Sequence, residues 1–180
     1  MLQAEEDLLV IAAQSGNHKA FNVLVLKYQK SLLRFAYQLS NDAEMAHDAV
    51  QDCWIKSTKN LHQLNDPRAF KSWLYRLVKW RVTDLIRIKV KHQMRITNEF
   101  DEQLSPYNEV NKDNQYEDGV GKLTKVIRQL PTIEKQIIHL FYLDEMSLAE
   151  VAIVLAIPVG TVKSRLNRAR KLLKQKLALA

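Results

Sequence analysis

The chain has 180 residues, of which 47% are hydrophobic and 26% charged, a composition typical of a folded globular protein. Its 4 glycines and 4 prolines exclude collagen-like chains and disfavour turn-rich β architectures, and a single cysteine excludes an internal disulfide. The net charge of +7 indicates a polyanionic partner. The acidic first residues lack the basic start of a signal peptide, and no apolar run reaches the roughly 18 residues that span a bilayer. We therefore expect a cytoplasmic protein.

The charge is distributed unevenly along the chain. Residues 67–96 carry a net charge of +8 and residues 158–180 a net charge of +7, whereas residues 97–121 carry −6. A run of like charges is most often a solvated face. Two basic blocks on helical patterns nevertheless favour a polyanion that is contacted at two places.

The first 96 residues are predicted to form a bundle of four helices. Apolar side chains recur every three or four residues over 4–14, 18–39, 43–61 and 67–91. Asp66 is predicted to cap the fourth helix and Pro67 to be its first residue. The connections are short, as in helix bundles. In the fourth helix the side chains predicted to be buried are Phe70, Trp73, Leu74, Leu77, Val78, Leu85 and Ile88.

Residues 97–121 have no regular apolar spacing and are interpreted as a flexible acidic linker. This linker divides the chain into an N-terminal helical domain, residues 1–96, and a C-terminal domain, residues 122–180. The predicted fold class is therefore all-α, with two small helical domains and the linker between them.

The C-terminal domain contains a helix-turn-helix pattern. Ser147 and Glu150 match a capping box at the start of a short helix, residues 156–158 form a turn, and a basic helix begins at Val159. In this motif the second helix lies in the major groove of duplex DNA. Its outward face is predicted to present side chains suited to bases and phosphates: Thr161, Lys163, Ser164, Asn167, Arg168 and Lys171. The alternative interpretation is an ordinary basic helical hairpin.

Aromatic residues interrupt the first basic block. Trp73, Tyr75 and Trp80 lie among lysines and arginines, a combination that suits single-stranded nucleic acid because bases stack while phosphates pair with cations. Trp73 also fits the buried face of the helix, whereas Trp80 fits that face less well.

No pattern in the sequence indicates catalysis. Five histidines show no paired metal spacing, and the single Cys53 is expected to pack between helices. The sequence has no glycine-rich phosphate loop, nucleophile elbow or paired-carboxylate pattern. We therefore expect neither a metal nor a cofactor.

Several motifs resemble those of bacterial sigma factors and occur in the same order. They are Gly16–Asn22 with Tyr28, Ala46–Asp52, Ala69–Leu77, Leu130-Pro131, and Pro158–Arg165 with Arg168–Arg170. The short length resembles the extracytoplasmic-function (ECF) group of the sigma-70 family. This resemblance implies an alternative sigma factor, not an enzyme, that binds core RNA polymerase, directs it to promoters and assists promoter melting without any small-molecule substrate. A stand-alone helix-turn-helix transcriptional regulator and a protein-binding helical adaptor remain as alternatives.

The resemblance also implies three sites. The duplex minus-thirty-five element would contact the outward residues named above together with Arg165. The melted minus-ten strand would contact Asn65, Asp66, Arg68, Lys71, Ser72, Arg76, Lys79 and Trp80. The clamp region of the polymerase beta-prime subunit would contact Asp48, Gln51, Asp52, Ile55 and Lys56. Trp80 stands where the family often has Asn, which favours base stacking there. An anti-sigma factor that holds the protein at the inner membrane is a further partner implied by the family.

Overall fold

The computed structural model describes residues 3–97, 123 and 126–178. Apart from Thr97, the predicted linker over 97–121 lies outside the described residues. All regular structure within the described part is helical, which confirms the predicted all-α class.

The N-terminal half is a bundle of four helices joined by short turns. These helices are α1 (Gln3–Gln14), α2 (His18–Ser40), α3 (Ala43–Asn60) and α4 (Phe70–Thr97), with 3₁₀ turns at Leu61–Gln63 and Pro67–Ala69. The local sequence explains where they begin. The side chains of Asn17 and Asp42 accept hydrogen bonds from backbone N–H groups in the first turns of α2 and α3, which would otherwise lack partners. Asp66 caps the Pro67 turn as predicted.

The core of the bundle is filled by large apolar side chains of α2, α3 and α4. On α4, Phe70, Leu74 and Val78 are buried as predicted, while Trp73, Leu77 and Leu85 are half-buried. The prediction for Ile88 was wrong, since this side chain is 53% exposed. Residues 86–94 are exposed around α4, so the apolar period that continues there is not buried by the described part of the chain.

In the C-terminal half the structure describes a helical residue at 123, a helical segment at 126–128 and three further helices. They are α5 (Thr132–Ile138), which continues as a π-helical turn (His139–Leu143), α6 (Leu148–Leu155) and α7 (Val159–Ala178). The predicted capping box is present: Ser147 Oγ accepts from the Glu150 N–H at 3.2 Å, and the Glu150 carboxylate accepts from the Ser147 N–H at 2.8 Å. The chain then turns at Ala156, in the left-handed region with a φ of 57°.

The two halves pack against each other, with α4 against α6, and their buried apolar residues form one continuous core. The imidazole of His139 lies 5.7 Å from the ring of Phe35 on α2. The Gln38 amide donates to the backbone oxygen of Lys135 at 2.9 Å. This contact between the halves was not predicted from the sequence.

Candidate nucleic-acid and polymerase interfaces

The outward face of α7 presents the predicted polar side chains to solvent. Val162, Leu166 and Ala169 are buried against the rest of the C-terminal half, which fixes the rotation of the helix. The side chains on the opposite face are exposed: Lys163, Ser164, Asn167, Arg168 and Lys171. Thr161 and Arg165 are half-buried at the edge of this face. These groups can donate to phosphates and to base edges, as a recognition helix does.

A buried carboxylate, Glu134 on α5, lies behind this face. Its Oε1 accepts a hydrogen bond from Arg165 Nη1 at 3.1 Å and lies 3.8 Å from Arg168 Nε. Glu134 could not be predicted from the sequence, because nothing within α5 marks it as a partner of a helix some thirty residues away.

The loop before α4 is held from two sides. Asp66 accepts from the guanidinium of Arg68 at 3.0 Å through both carboxylate oxygens, and these hydrogen bonds hold the pKa of Asp66 below its ordinary value. On the other side, the Gln14 amide at the end of α1 donates to the backbone oxygens of Leu61 and Leu64 at 3.0 and 2.7 Å. Asn65 between these anchors is exposed.

The basic face of α4 is only partly open. Arg76 and Trp80 are exposed, the latter by 56%. By contrast, the ammonium of Lys71 donates to the backbone oxygen of Asp144, and that of Lys79 to the backbone oxygen of Leu155 at 3.2 Å. Burial lowers the pKa of Lys79, with the nearby Arg76 adding to the effect.

Two residues of the same segment are buried in this arrangement. Ser72 is buried and its hydroxyl donates to the backbone oxygen of Ala69. Tyr75, grouped in the sequence analysis with aromatic side chains available to bases, is instead a core residue beside Phe35, with ring centroids 5.3 Å apart. Tyr75 is therefore not available to bases, because its side chain packs in the core against Phe35 of α2.

The outer face of α3 carries the residues predicted to bind polymerase. Asp48, Gln51 and Ile55 are exposed, with Ile55 exposed by 50%. Asp52 accepts from Arg81 Nε on α4 at 2.6 Å. The ammonium of Lys56 lies 4.3 Å from the centre of the Trp80 ring. The α3 face is thus physically joined to the exposed aromatic of the basic block.

The remaining candidate groups are structural. Cys53 is buried, and desolvation raises the pKa of its thiol to about 12, so it remains protonated at neutral pH. Among residues 3–97, 123 and 126–178, no three His, Cys, Asp or Glu side chains come together in a way that could hold a metal ion. In the same part of the chain no helix has both the length and the apolar character needed to cross a membrane.

Comparison with known protein families matches both halves of the chain. Sigma-70 region 2 matches residues 24–91, and Sigma-70, region 4 matches residues 121–173. The chain is 32% identical over 173 residues to the ECF RNA polymerase sigma factor SigW of Bacillus subtilis, covering 91% of this chain and 92% of that relative. It is 30% identical over 183 residues to the ECF RNA polymerase sigma-E factor of Escherichia coli K12, covering 97% of this chain and 95% of the relative.

Solved structures share the fold, among them the following two. CnrH in complex with the cytosolic domain of CnrY aligns with a TM-score of 0.68 and 25% identity, over 97% of each chain. The sigma factor RpoE of Bartonella quintana, in complex with the anti-sigma factor NepR, aligns with a TM-score of 0.69 over 89% of this chain and 98% of that one. At 22% identity, the second likeness concerns the fold alone.

Proposed function

Because the chain belongs to the ECF group of the sigma-70 family of RNA polymerase sigma factors, we propose that it performs the work of that family with the three surfaces described above. The chain is an alternative sigma factor that directs RNA polymerase to promoters. It acts by binding and positioning, without catalysing a reaction of its own, and it does so in the cytoplasm.

The α7 face binds the minus-thirty-five element as duplex DNA. Support comes from its geometry: a capped α6, a tight turn and an α7 whose exposed side carries cations, an amide and a hydroxyl. Arg168 and Asn167 suit base edges, since arginine pairs with guanine and asparagine with adenine through two hydrogen bonds each. Lys163, Arg165 and Lys171 suit phosphates, whose neutralisation makes the affinity fall with salt.

The loop before α4 and the exposed part of the α4 basic face capture the melted minus-ten strand. Asn65 and Arg68 lie on the loop, and Arg76 and Trp80 follow on the helix. The indole of Trp80 is available to stack on an unpaired base, which is the usual way in which proteins hold single strands. Lys71, Ser72 and Lys79 join this surface only when the C-terminal half moves away from α4.

The observation that carries the assignment is the outer face of α3, because a stand-alone transcriptional regulator has no use for it. There an exposed isoleucine is flanked by acidic and amide groups: Asp48, Gln51 and Asp52 lie within two turns of Ile55. A central apolar contact with a polar, charged rim is how protein–protein interfaces are commonly built. We assign this face to the clamp region of the polymerase beta-prime subunit.

The binding partners follow from the family. SigW and sigma-E are named as RNA polymerase sigma factors, and CnrH was solved in complex with the cytosolic domain of CnrY. By the same logic this chain binds core polymerase and promoter DNA, and an anti-sigma factor controls its release. Such an inhibitor, when anchored in the inner membrane, would hold the protein at that membrane.

Binding to purified core polymerase tests the α3 assignment. Truncating a hot-spot residue at the centre of an interface costs more than about 1 kcal/mol, so Ile55→Ala should weaken binding to core polymerase by about fivefold to tenfold. Leu26→Ala is the matched control, because Leu26 on α2 is also apolar and 81% exposed but lies off this face. Equal affinities for Ile55→Ala and the wild type would refute the assignment. Absence of any co-elution of the wild type with core polymerase would favour the stand-alone regulator.

A further inference from the structure

Glu134 is a carboxylate that the C-terminal half buries almost completely, with 1% of its surface exposed. Only one of its oxygens is used in the described part of the chain: Oε1 accepts from Arg165, while Oε2 is buried without a hydrogen-bond partner. A buried charge with an incomplete set of partners lowers stability rather than raising it. Packing alone therefore gives no reason for a glutamate at this position.

Both cations near Glu134 belong to the proposed DNA-binding face. Arg165 Nη1 lies 3.1 Å and Arg168 Nε 3.8 Å from the same carboxylate oxygen, and the two side chains are otherwise 40% and 65% exposed. Arginine loses much of its side-chain conformational entropy when it is fixed in one geometry. A partner beneath the surface that restricts these guanidinium groups before DNA arrives reduces the cost of ordering them at the interface.

The carboxylate also changes the electrostatics of the face. Residues 158–180 hold 7 basic and no acidic side chains, so nothing on α7 itself offsets their attraction for any phosphate backbone. Glu134 contributes one negative charge from below, at a position where it competes with phosphate for Arg165. Glu134 therefore weakens sequence-independent binding, which depends on phosphate contacts such as that of Arg165. It weakens base-specific binding less, because Arg168 contacts a base through its terminal nitrogens.

We propose that Glu134 is a positioning residue of the upstream DNA interface, which holds Arg165 and Arg168 and thereby raises the ratio of specific to non-specific binding. The inference rests on the proposed function of α7. It adds to that function a residue that never touches DNA.

Holoenzyme assembled from the full chain and core polymerase tests the proposal. Affinity is measured for duplex promoter DNA with the preferred minus-thirty-five element and for the same DNA with that element scrambled, each over a range of salt concentrations. For Glu134→Gln we expect tighter binding to the scrambled duplex, a salt slope steeper by about one, and a specificity ratio lowered by about tenfold. If Glu134 had only a structural role, both affinities would fall together and the ratio would stay unchanged; that result would overturn the proposal.

A matched control separates positioning from stability. Glu6 on α1 is a similarly buried carboxylate whose partners, Lys27 and Tyr28, lie in the N-terminal half. Glu6→Gln should lower stability and leave the specificity ratio at its wild-type value. A ratio that falls equally in Glu6→Gln and Glu134→Gln would also overturn the proposal, since it would report general destabilisation.

Two further variants keep the test decisive. If Glu134→Gln does not assemble with polymerase, Arg165→Lys replaces it, because it keeps the positive charge and loses the forked contact with the carboxylate. The ratio must fall in that variant too, and an unchanged ratio would contradict the proposal. Failure of the underlying function is distinguishable: if α7 does not read the upstream element, scrambling that element has no effect on wild-type holoenzyme, and Arg168→Ala changes nothing.

Discussion

Ala156 bends the chain between α6 and α7 in a left-handed backbone conformation, with φ 57° and ψ 45°. Its N–H donates to the backbone oxygen of Ala152, so this conformation closes α6 and sets the angle at which α7 leaves. For a residue with a Cβ the left-handed region costs about 1–2 kcal/mol, which glycine avoids. The recognition helix is therefore positioned by a turn that carries local strain.

Replacing Ala156 with glycine should relieve that strain. The gain is partly offset by the greater freedom of glycine in the unfolded chain, so we expect Ala156→Gly to raise the free energy of unfolding by about 0.5–1 kcal/mol. Urea unfolding of the full chain measures the change. Ala149→Gly is the matched control, because Ala149 is exposed in the right-handed α6, where glycine should cost about 1 kcal/mol. A loss of stability in both variants would contradict the strain argument.

At the scale of helices, the termini were predictable because their signals are local. Asp66 caps the Pro67 turn, and Ser147 together with Glu150 caps α6. Each cap bonds groups within three residues of itself in the sequence, as predicted. The contacts that were not predicted join residues far apart in the chain. The Gln14 amide donates to a loop some fifty residues away, and the buried ring of Tyr75 packs against Phe35 on another helix.

The candidate sites divide in the same way. The outward face of α7 was predictable from its 3.6-residue period, because the buried Val162, Leu166 and Ala169 fix the orientation of every other side chain on the helix. Glu134 was not predictable, since its partners lie on another helix and its own neighbours in sequence do not indicate burial. The period of a helix predicts which residues share a face, and only the tertiary structure shows what lies behind that face.

The start of α3 depends on Asp42, which also joins α3 to α4. Its carboxylate accepts from the Met45 N–H at 3.1 Å and from Lys89 at 3.0 Å, and these two groups hold its pKa below the ordinary value of 3.8. A carboxyl group whose pKa is lowered by folding stabilises the protein above its unfolded pKa. That contribution is lost as the pH falls through the lower pKa of the folded state.

We expect Asp42→Ala to lower the free energy of unfolding by about 1 kcal/mol at pH 7, as is usual for the loss of an N-cap. The gap between wild type and Asp42→Ala should narrow as the pH falls below 3.8, where the wild type loses the same interaction. Asp42→Asn keeps an oxygen acceptor without a titrating group, so this variant should be less destabilised than Asp42→Ala. Denaturant unfolding between pH 2.5 and 7 measures the free energy of unfolding of the wild type and both variants. A difference between wild type and Asp42→Ala that does not change with pH would show that the ionised carboxylate of Asp42 is not what stabilises the protein.

For the molecule as a whole, the packing of its two halves determines which surfaces can meet DNA. The α7 face and the α3 face are open in this arrangement. The ammonium groups of Lys71 and Lys79, in contrast, bind the backbone oxygens of Asp144 and Leu155 in the other half. A melted strand that uses both lysines therefore requires the C-terminal half to leave α4.

A reversible covalent link across the junction tests this requirement. Gln38 and Lys135 contact each other between the halves, so cysteines introduced by Gln38→Cys and Lys135→Cys can be joined with a short bismaleimide that contains a cleavable disulfide. The native Cys53 does not interfere, because burial keeps its thiol protonated and inaccessible. We expect the linked protein to lose most of its promoter opening, measured by permanganate reactivity of unpaired thymines, and to recover it after reduction. A cysteine pair at Gln3 and Asp7, linked within α1, controls for the chemistry. Normal promoter opening by the linked protein would show that the minus-ten strand binds without Lys71 and Lys79, through the part of α4 that is already exposed.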